Sequence, residues 1–144
     1  SLGFLMALTT ERKRRMSIRW ACNEVKWAWQ RLYRGWDDRA TWSADYYFAR
    51  QISEILDAIK SDCGIPHFVF IDLGIPVDTF ITEEQEQTAK IYWDNIIQKI
   101  VDGFRAYLEA QEIVYTNPER YGVLVKQYEE GFDLFKKHFG SFWT

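Results

Sequence analysis

Cysteine is nearly absent from this 144-residue chain, which has only Cys22 and Cys63. Two thiols cannot form a disulfide framework, so the fold must rest on apolar packing, and a reducing, cytoplasmic setting is expected. Three prolines and eight glycines, with no low-complexity tract, argue against a flexible linker or a disordered arm past the first eight residues. Histidine is equally scarce, at His67 and His138. A tetrahedral zinc site would need both of these to converge with Cys22 and Cys63, and the Cys63–His67 interval does not match paired zinc knuckles. No Glu-x-x-His motif offers a carboxylate-bridged metal in a helical bundle. There is no Gly-x-Ser-x-Gly elbow and no glycine loop to cradle a phosphate. The sequence therefore shows no catalytic motif, no metal ligand set and no cofactor signature, and an enzyme assembled from unmarked positions stays open as an alternative. The opening SLGFLMAL is apolar but short, and its basic run follows it, the wrong order for a secretory signal. Nothing approaches the roughly 20 apolar residues that span a bilayer, so no membrane association is expected.

What is present suits one globular domain. The chain is 47% hydrophobic and 27% charged, enough for a real core at this length. A single helical domain over 1–144 is expected, with 1–8 set apart as disordered or foreign to the natural chain. The net charge of −3 is unevenly spread. Between Glu11 and Arg39, nine basic residues stand against four acidic ones, a local +5; the rest carries nine against seventeen, a local −8. Such polarity can steer a partner, or simply mark a solvated helix.

Helical periodicity organises four segments. The first runs from about Thr10 to Tyr33, with Ala21, Val25, Ala28, Trp29 and Leu32 as its inner stripe and Thr9 or Thr10 as cap. Arg12, Lys13, Arg14 and Arg15 sit where a helix dipole disfavours cations, and Gly35 is a natural stop. The second runs from about Thr41 to Lys60, with Thr41 as cap and a stripe of Tyr46, Ala49, Ile52, Leu56 and Ile59. Asp37 or Asp38 can cap a shorter turn ahead of it. The third opens with a Thr82–Gln85 capping box and acids, then runs to Ile113 on Trp93, Ile96, Ile97, Ile100, Phe104, Tyr107 and Leu108. The fourth opens with Asn117 and Pro118 and ends at Gly140, with Trp143 folding back. Between the second and third lies an irregular apolar segment, about 63–81. There, two Gly-Ile-Pro turns bracket His67–Leu73, a β-branched, aromatic run that can be a short strand, pairing locally or meeting another molecule along its edge, or an extended segment without a ladder. The expected class is all-α: a four-helix bundle-like domain with one irregular segment.

The corner RGWDDRATWSADYYFARQ, residues 34–51, carries the densest chemistry. Trp42, Asp45 and Tyr46 fall on one helical face. Asp45 can accept a guanidinium from Arg34 or Arg39, an ion pair that pins the corner. The rival reading is an aromatic-walled pocket holding a phosphate or a base through Arg and Trp. The basic run offers a third: Arg12, Lys13, Arg14, Arg15 and Arg19 as a nucleic-acid contact, although no nucleic-acid-binding signature accompanies it and the protein is acidic overall. The seven Trp, eight Tyr and ten Phe exceed what a small helical core requires. Trp20, Trp27, Tyr33 and Trp36 do not all fit the inner stripe of the first helix. Rings beside arginine are the composition of interaction hot spots.

The string RLYRGWDDRATWSADYYFARQISEILDAIK, followed by Gly-Ile-Pro, resembles a family of small uncharacterised proteins encoded by tailed bacteriophages. Those members share an Arg-Gly-aromatic-x-Asp-Arg-x-Thr-Trp corner, a helix with Tyr and a Gly-aromatic-Pro turn. The closing EEGFDLFKKHFGSFW is similar to their ending. The likeness covers about half of the chain. Ala40 stands where the family often has an acid, and Ile65 where it has an aromatic. The resemblance brings no activity with it. It implies a protein of the infected host's cytoplasm that works by binding: capturing a host protein, blocking a defence system, or sequestering a signalling nucleotide. The expectation is a non-catalytic binder with a protein partner, its contacts drawn from Trp20, Trp27, Arg34, Trp36, Arg39, Trp42 and Asp45. The alternatives are a nucleotide ligand, a nucleic acid, and a homodimer that buries the surplus rings.

Overall fold

The computed structural model describes the backbone of residues 2–142 and the side chains of residues 17–142. Among these residues every regular element is helical: α1 (Leu2–Arg34), α2 (Ala44–Ile59), α3 (His67–Asp72), α4 (Glu83–Ile113) and α5 (Pro118–His138). Two 3-10 turns, Asp38–Thr41 and Phe139–Ser141, complete the set. No described helix is long and apolar enough to cross a membrane. The expected Trp143 contact lies outside the described residues, as do the side chains of Arg12, Lys13, Arg14 and Arg15. The chain divides into two compact units, Ser1–Ala44 and Asp45–Thr144.

The second unit is an all-α bundle built as its caps and stripes dictate. Thr82 accepts from the Gln85 backbone N–H while the Gln85 side chain accepts from the Thr82 N–H, so two orphan donors are satisfied reciprocally at the start of α4. Asn117 accepts from the Arg120 N–H, with Pro118 in the first turn of α5. The core gathers Leu56 from α2, Val69 and Phe70 from α3, and Trp93, Ile97, Ile100, Val101 and Phe104 from α4. Rings seal the α4–α5 seam: Phe104 meets Phe132 and Phe135 at 4.7 and 5.2 Å between centroids, and Tyr107 meets Tyr128 at 5.4 Å. The two helices come into backbone contact at Gly103 and Gly131. A Cβ added to either glycine would lie 2.6 Å from the other's Cα, so the missing side chains are what permit this approach.

The apolar run after the first Gly-Ile-Pro is helix α3, not the expected strand. A lone strand would leave its backbone groups unpaired, whereas six helical residues bond within themselves. Pro66 enters in the extended region, and Gly74, at φ +66°, ends the helix with the Ile75 N–H donating to the Phe70 carbonyl at 2.8 Å. The second Gly-Ile-Pro is thus a helix stop. Val69 and Phe70 fill the core. Trp93 is fully buried, with its indole N–H donating to Cys63 Sγ at 3.1 Å. Burial, reinforced by Lys137 and opposed by Asp72, holds the His138 imidazole below its ordinary value of 6.5; its ring stacks on Phe68 at 4.8 Å.

The first unit is a different object. Its helix begins at Leu2, so Thr9 and Thr10 lie inside α1 rather than capping it. The expected inner stripe is not inside: Val25, Trp29 and Leu32 are 71%, 69% and 82% exposed. Among its described residues, the one buried side chain in residues 17–44 is that of Asp37.

Candidate functional site: the corner after α1

Gly35, at φ +79°, ends α1 by donating its N–H to the Arg31 carbonyl at 3.0 Å. The left-handed backbone turns the chain so that Asp37 and Asp38 come back beside the last turns of the helix. Asp37 caps the 3-10 turn by accepting from the Arg39 N–H at 3.0 Å. Its carboxylate also takes the Arg39 guanidinium through Nε at 3.2 Å and Nη2 at 2.9 Å, and Arg31 Nη1 at 2.5 Å. Arg39, with Arg31 in support, outweighs the cost of burial and holds the Asp37 carboxyl at about 2, below the ordinary 3.8. Asp38 accepts from Lys26 at 2.8 Å, from Gln30 Nε2 at 2.9 Å and from Arg34. Its own N–H donates to Gln30 Oε1 at 3.0 Å. Lys26, then Gln30 and Arg34, hold this carboxyl still lower.

Two of the three bound guanidinium groups lie over an indole. Arg34 Cζ sits 3.9 Å from the Trp36 ring centroid, with Arg34 Nε donating to the Trp36 carbonyl at 3.1 Å. Arg39 Cζ sits 4.3 Å from the Trp27 ring, and Trp27 meets Trp42 edge-on at 6.1 Å. A carboxylate that fixes an arginine therefore also fixes the tryptophan beneath it. The result is an ordered aromatic and cationic surface on a short turn. Trp36 and Trp42 remain exposed on it, and Trp20 is 65% exposed on α1.

Five of the expected contact residues, Trp27, Arg34, Trp36, Arg39 and Trp42, come together here, joined by Glu24, Lys26, Gln30 and Arg31, which the sequence reading missed. Gln30, Arg31 and Lys26 carry an available signal: each lies one helical turn or two before Arg34, on the side that a returning Asp37-Asp38 pair must meet. Asp45 is a correction. It belongs to the second unit, where it accepts from the Tyr107 hydroxyl at 2.5 Å. That bond holds the Asp45 carboxyl below its ordinary value and pushes the phenol up to about 12. The arginines expected for Asp45 are taken by Asp37 and Asp38, which cap and close the turn at much shorter range. Thr41 is a second correction: its hydroxyl donates to the Asp38 carbonyl at 2.8 Å within the 3-10 turn, and α2 starts at Ala44.

The arrangement sets limits on chemistry. Both corner carboxylates are ionised and saturated with donors, so neither is poised to take or give a proton near neutral pH. Four cations, Lys26, Arg31, Arg34 and Arg39, face three acids, Glu24, Asp37 and Asp38. Little positive charge is left over for a phosphate. Among the described residues no three His, Cys, Asp or Glu side chains converge to hold a metal. An open groove of about 550 Å³ in the second unit is lined by Asp72, Tyr92, Gln98, Lys99, Glu130 and His138 among others. Its mixed charges favour no one ligand class. No family model matches the chain, and neither a curated protein nor a solved structure matches it.

Proposed function

We propose that this protein acts by binding another protein, without catalysis, through the ring-and-arginine surface at the end of α1. The observation that carries this reading is the pair of arginine-over-tryptophan stacks, Arg34 on Trp36 and Arg39 on Trp27, held in place by Asp37 and Asp38. Rigid aromatic side chains beside a fixed guanidinium lose little conformational freedom when a partner covers them, which is what hot-spot residues do. Trp20, Trp27, Arg34, Trp36 and Arg39 are the anchors, with Trp42 at the edge. The likeness of this same corner to tailed-phage proteins supports a host protein as the partner, a component of a defence system among the targets of that kind.

The test is capture from bacterial cells expressing the chain, followed by mass spectrometry, with wild type compared against Trp27→Ala and Trp36→Ala. The expected result is a specific partner lost with either variant, while the melting of the second unit stays within a few degrees of wild type. Equal capture by all three proteins would remove the corner from the account. A nucleotide at the corner would instead raise the melting temperature by mass action. A nucleic acid on Arg19 and the basic run would give a gel shift at low salt that fades steeply as salt rises.

A further inference from the structure

α1 carries a second apolar face, distinct from the corner. Ile18, Val25 and Leu32 recur at intervals of seven, and Cys22 and Trp29 fall between them at the alternating four–three spacing of a two-helix seam. Trp20 and Trp27 lie on the opposite side of the helix, so this seam and the corner rings do not compete. All five seam residues are exposed. Among the described side chains of α1, residues 17–34, none is buried, and helices without tertiary packing are marginal in water.

We infer that the seam is covered by the same seam of a second copy of this chain, in an antiparallel α1–α1 pair. Two observations favour that occupant. The first is area. The exposed parts of Val25, Trp29 and Leu32, which face the partner helix in the layering below, offer about 500 Å² per chain at the ~100–250 Å² that side chains of this size present. A two-fold pair then buries about 1,000 Å², the least that a specific interface needs. The second is shape. Antiparallel layering sets Trp29 against the partner's Val25 and Leu32 against the partner's Cys22, large against small in each layer, and two-fold symmetry repeats both contacts.

The pairing deepens the proposed function without depending on the corner, and the test separates them. Sedimentation of the full chain should give twice the mass of one chain at micromolar concentration. The double variant Val25→Glu with Leu32→Glu should halve that mass, with the melting of the second unit unchanged. Orientation is read with a short bis-maleimide. In the antiparallel layers the two Cys22 thiols are separated by ten residues of rise, about 15 Å, so wild type stays uncross-linked. The thiol introduced by Leu32→Cys faces the partner's Cys22 and gives a covalent dimer; Cys63 is buried and silent. A monomer at every concentration, or a dimer indifferent to the double glutamate variant, overturns the pairing. Cross-linking of wild type through Cys22 overturns the antiparallel arrangement. Capture of a protein partner by the monomeric variant would leave the corner reading standing, and loss of capture by Trp36→Ala in a protein that still dimerises would leave the seam standing.

Discussion

α1 and α4 are nearly the same length, 33 and 31 residues, yet they stand in opposite relations to their surroundings. α4 buries nine of its residues and begins with a closed capping box and three acids. α1 buries none among residues 17–34 and has no acid in its first turn. Both sequences carry apolar residues at three–four spacing. The difference lies in what faces each stripe: α4 meets α2, α3 and α5 residues of its own unit, while the described α1 side chains, residues 17–34, enter no core of their own unit. Periodicity thus identifies a face that needs covering and leaves open what covers it.

That contrast can be broken or sharpened by substitution. The largest effect is expected for Trp93→Ala, which empties the centre of the second unit; roughly 3–5 kcal/mol should be lost in denaturant unfolding. The matching change in α1, Trp29→Ala, should move the same transition by no more than about 0.5 kcal/mol. Next is Gly131→Ala. The new methyl must enter the space of the Gly103 backbone, 2.6 Å away, so overpacking should cost about 1–3 kcal/mol. Thr82→Ala opens the capping box of α4 and should cost about 1 kcal/mol. Smallest is a pH effect confined to His138. Its folded-state value lies below 6.5, so between the two values the unfolded chain binds the proton more readily. Stability is therefore complete above 6.5 and declines as the pH falls through the window beneath it. A stability profile of His138→Phe should lose that slope while keeping the one set by carboxylates in stronger acid.

The second unit was largely legible in the sequence, because its signals are local and agree with one another. Thr82 with Gln85, and Asn117 with Pro118, name their helix starts, and the residues of the α4 stripe from Trp93 to Leu108 are those that pack inward. The strand expected at His67–Leu73 failed because a short β-branched, aromatic run fits both periods; Gly74, read as part of a turn closing that run, is a left-handed helix stop. The Gly103–Gly131 contact could not be read, since one chain's glycines name no partner across a helix pair. At the corner, the residue types were visible but the pairing was not. Asp45 is four residues past Thr41 on the following helix and looked available to Arg34 and Arg39, yet Asp37 reaches Arg39 through backbone and side chain at once. Chelation of that kind depends on the path of the turn, which Gly35 sets and composition does not reveal.

Amide hydrogen exchange measured segment by segment on the full chain, at low and high protein concentration, tests most directly whether α1 is stabilised from outside its own chain. The account predicts slow exchange in α4 at both concentrations, and fast exchange in residues 18–32 that slows as the chain is concentrated. Protection of residues 18–32 equal to that of α4 in the dilute monomer would contradict it, because α1 would then have its covering surface within the same molecule.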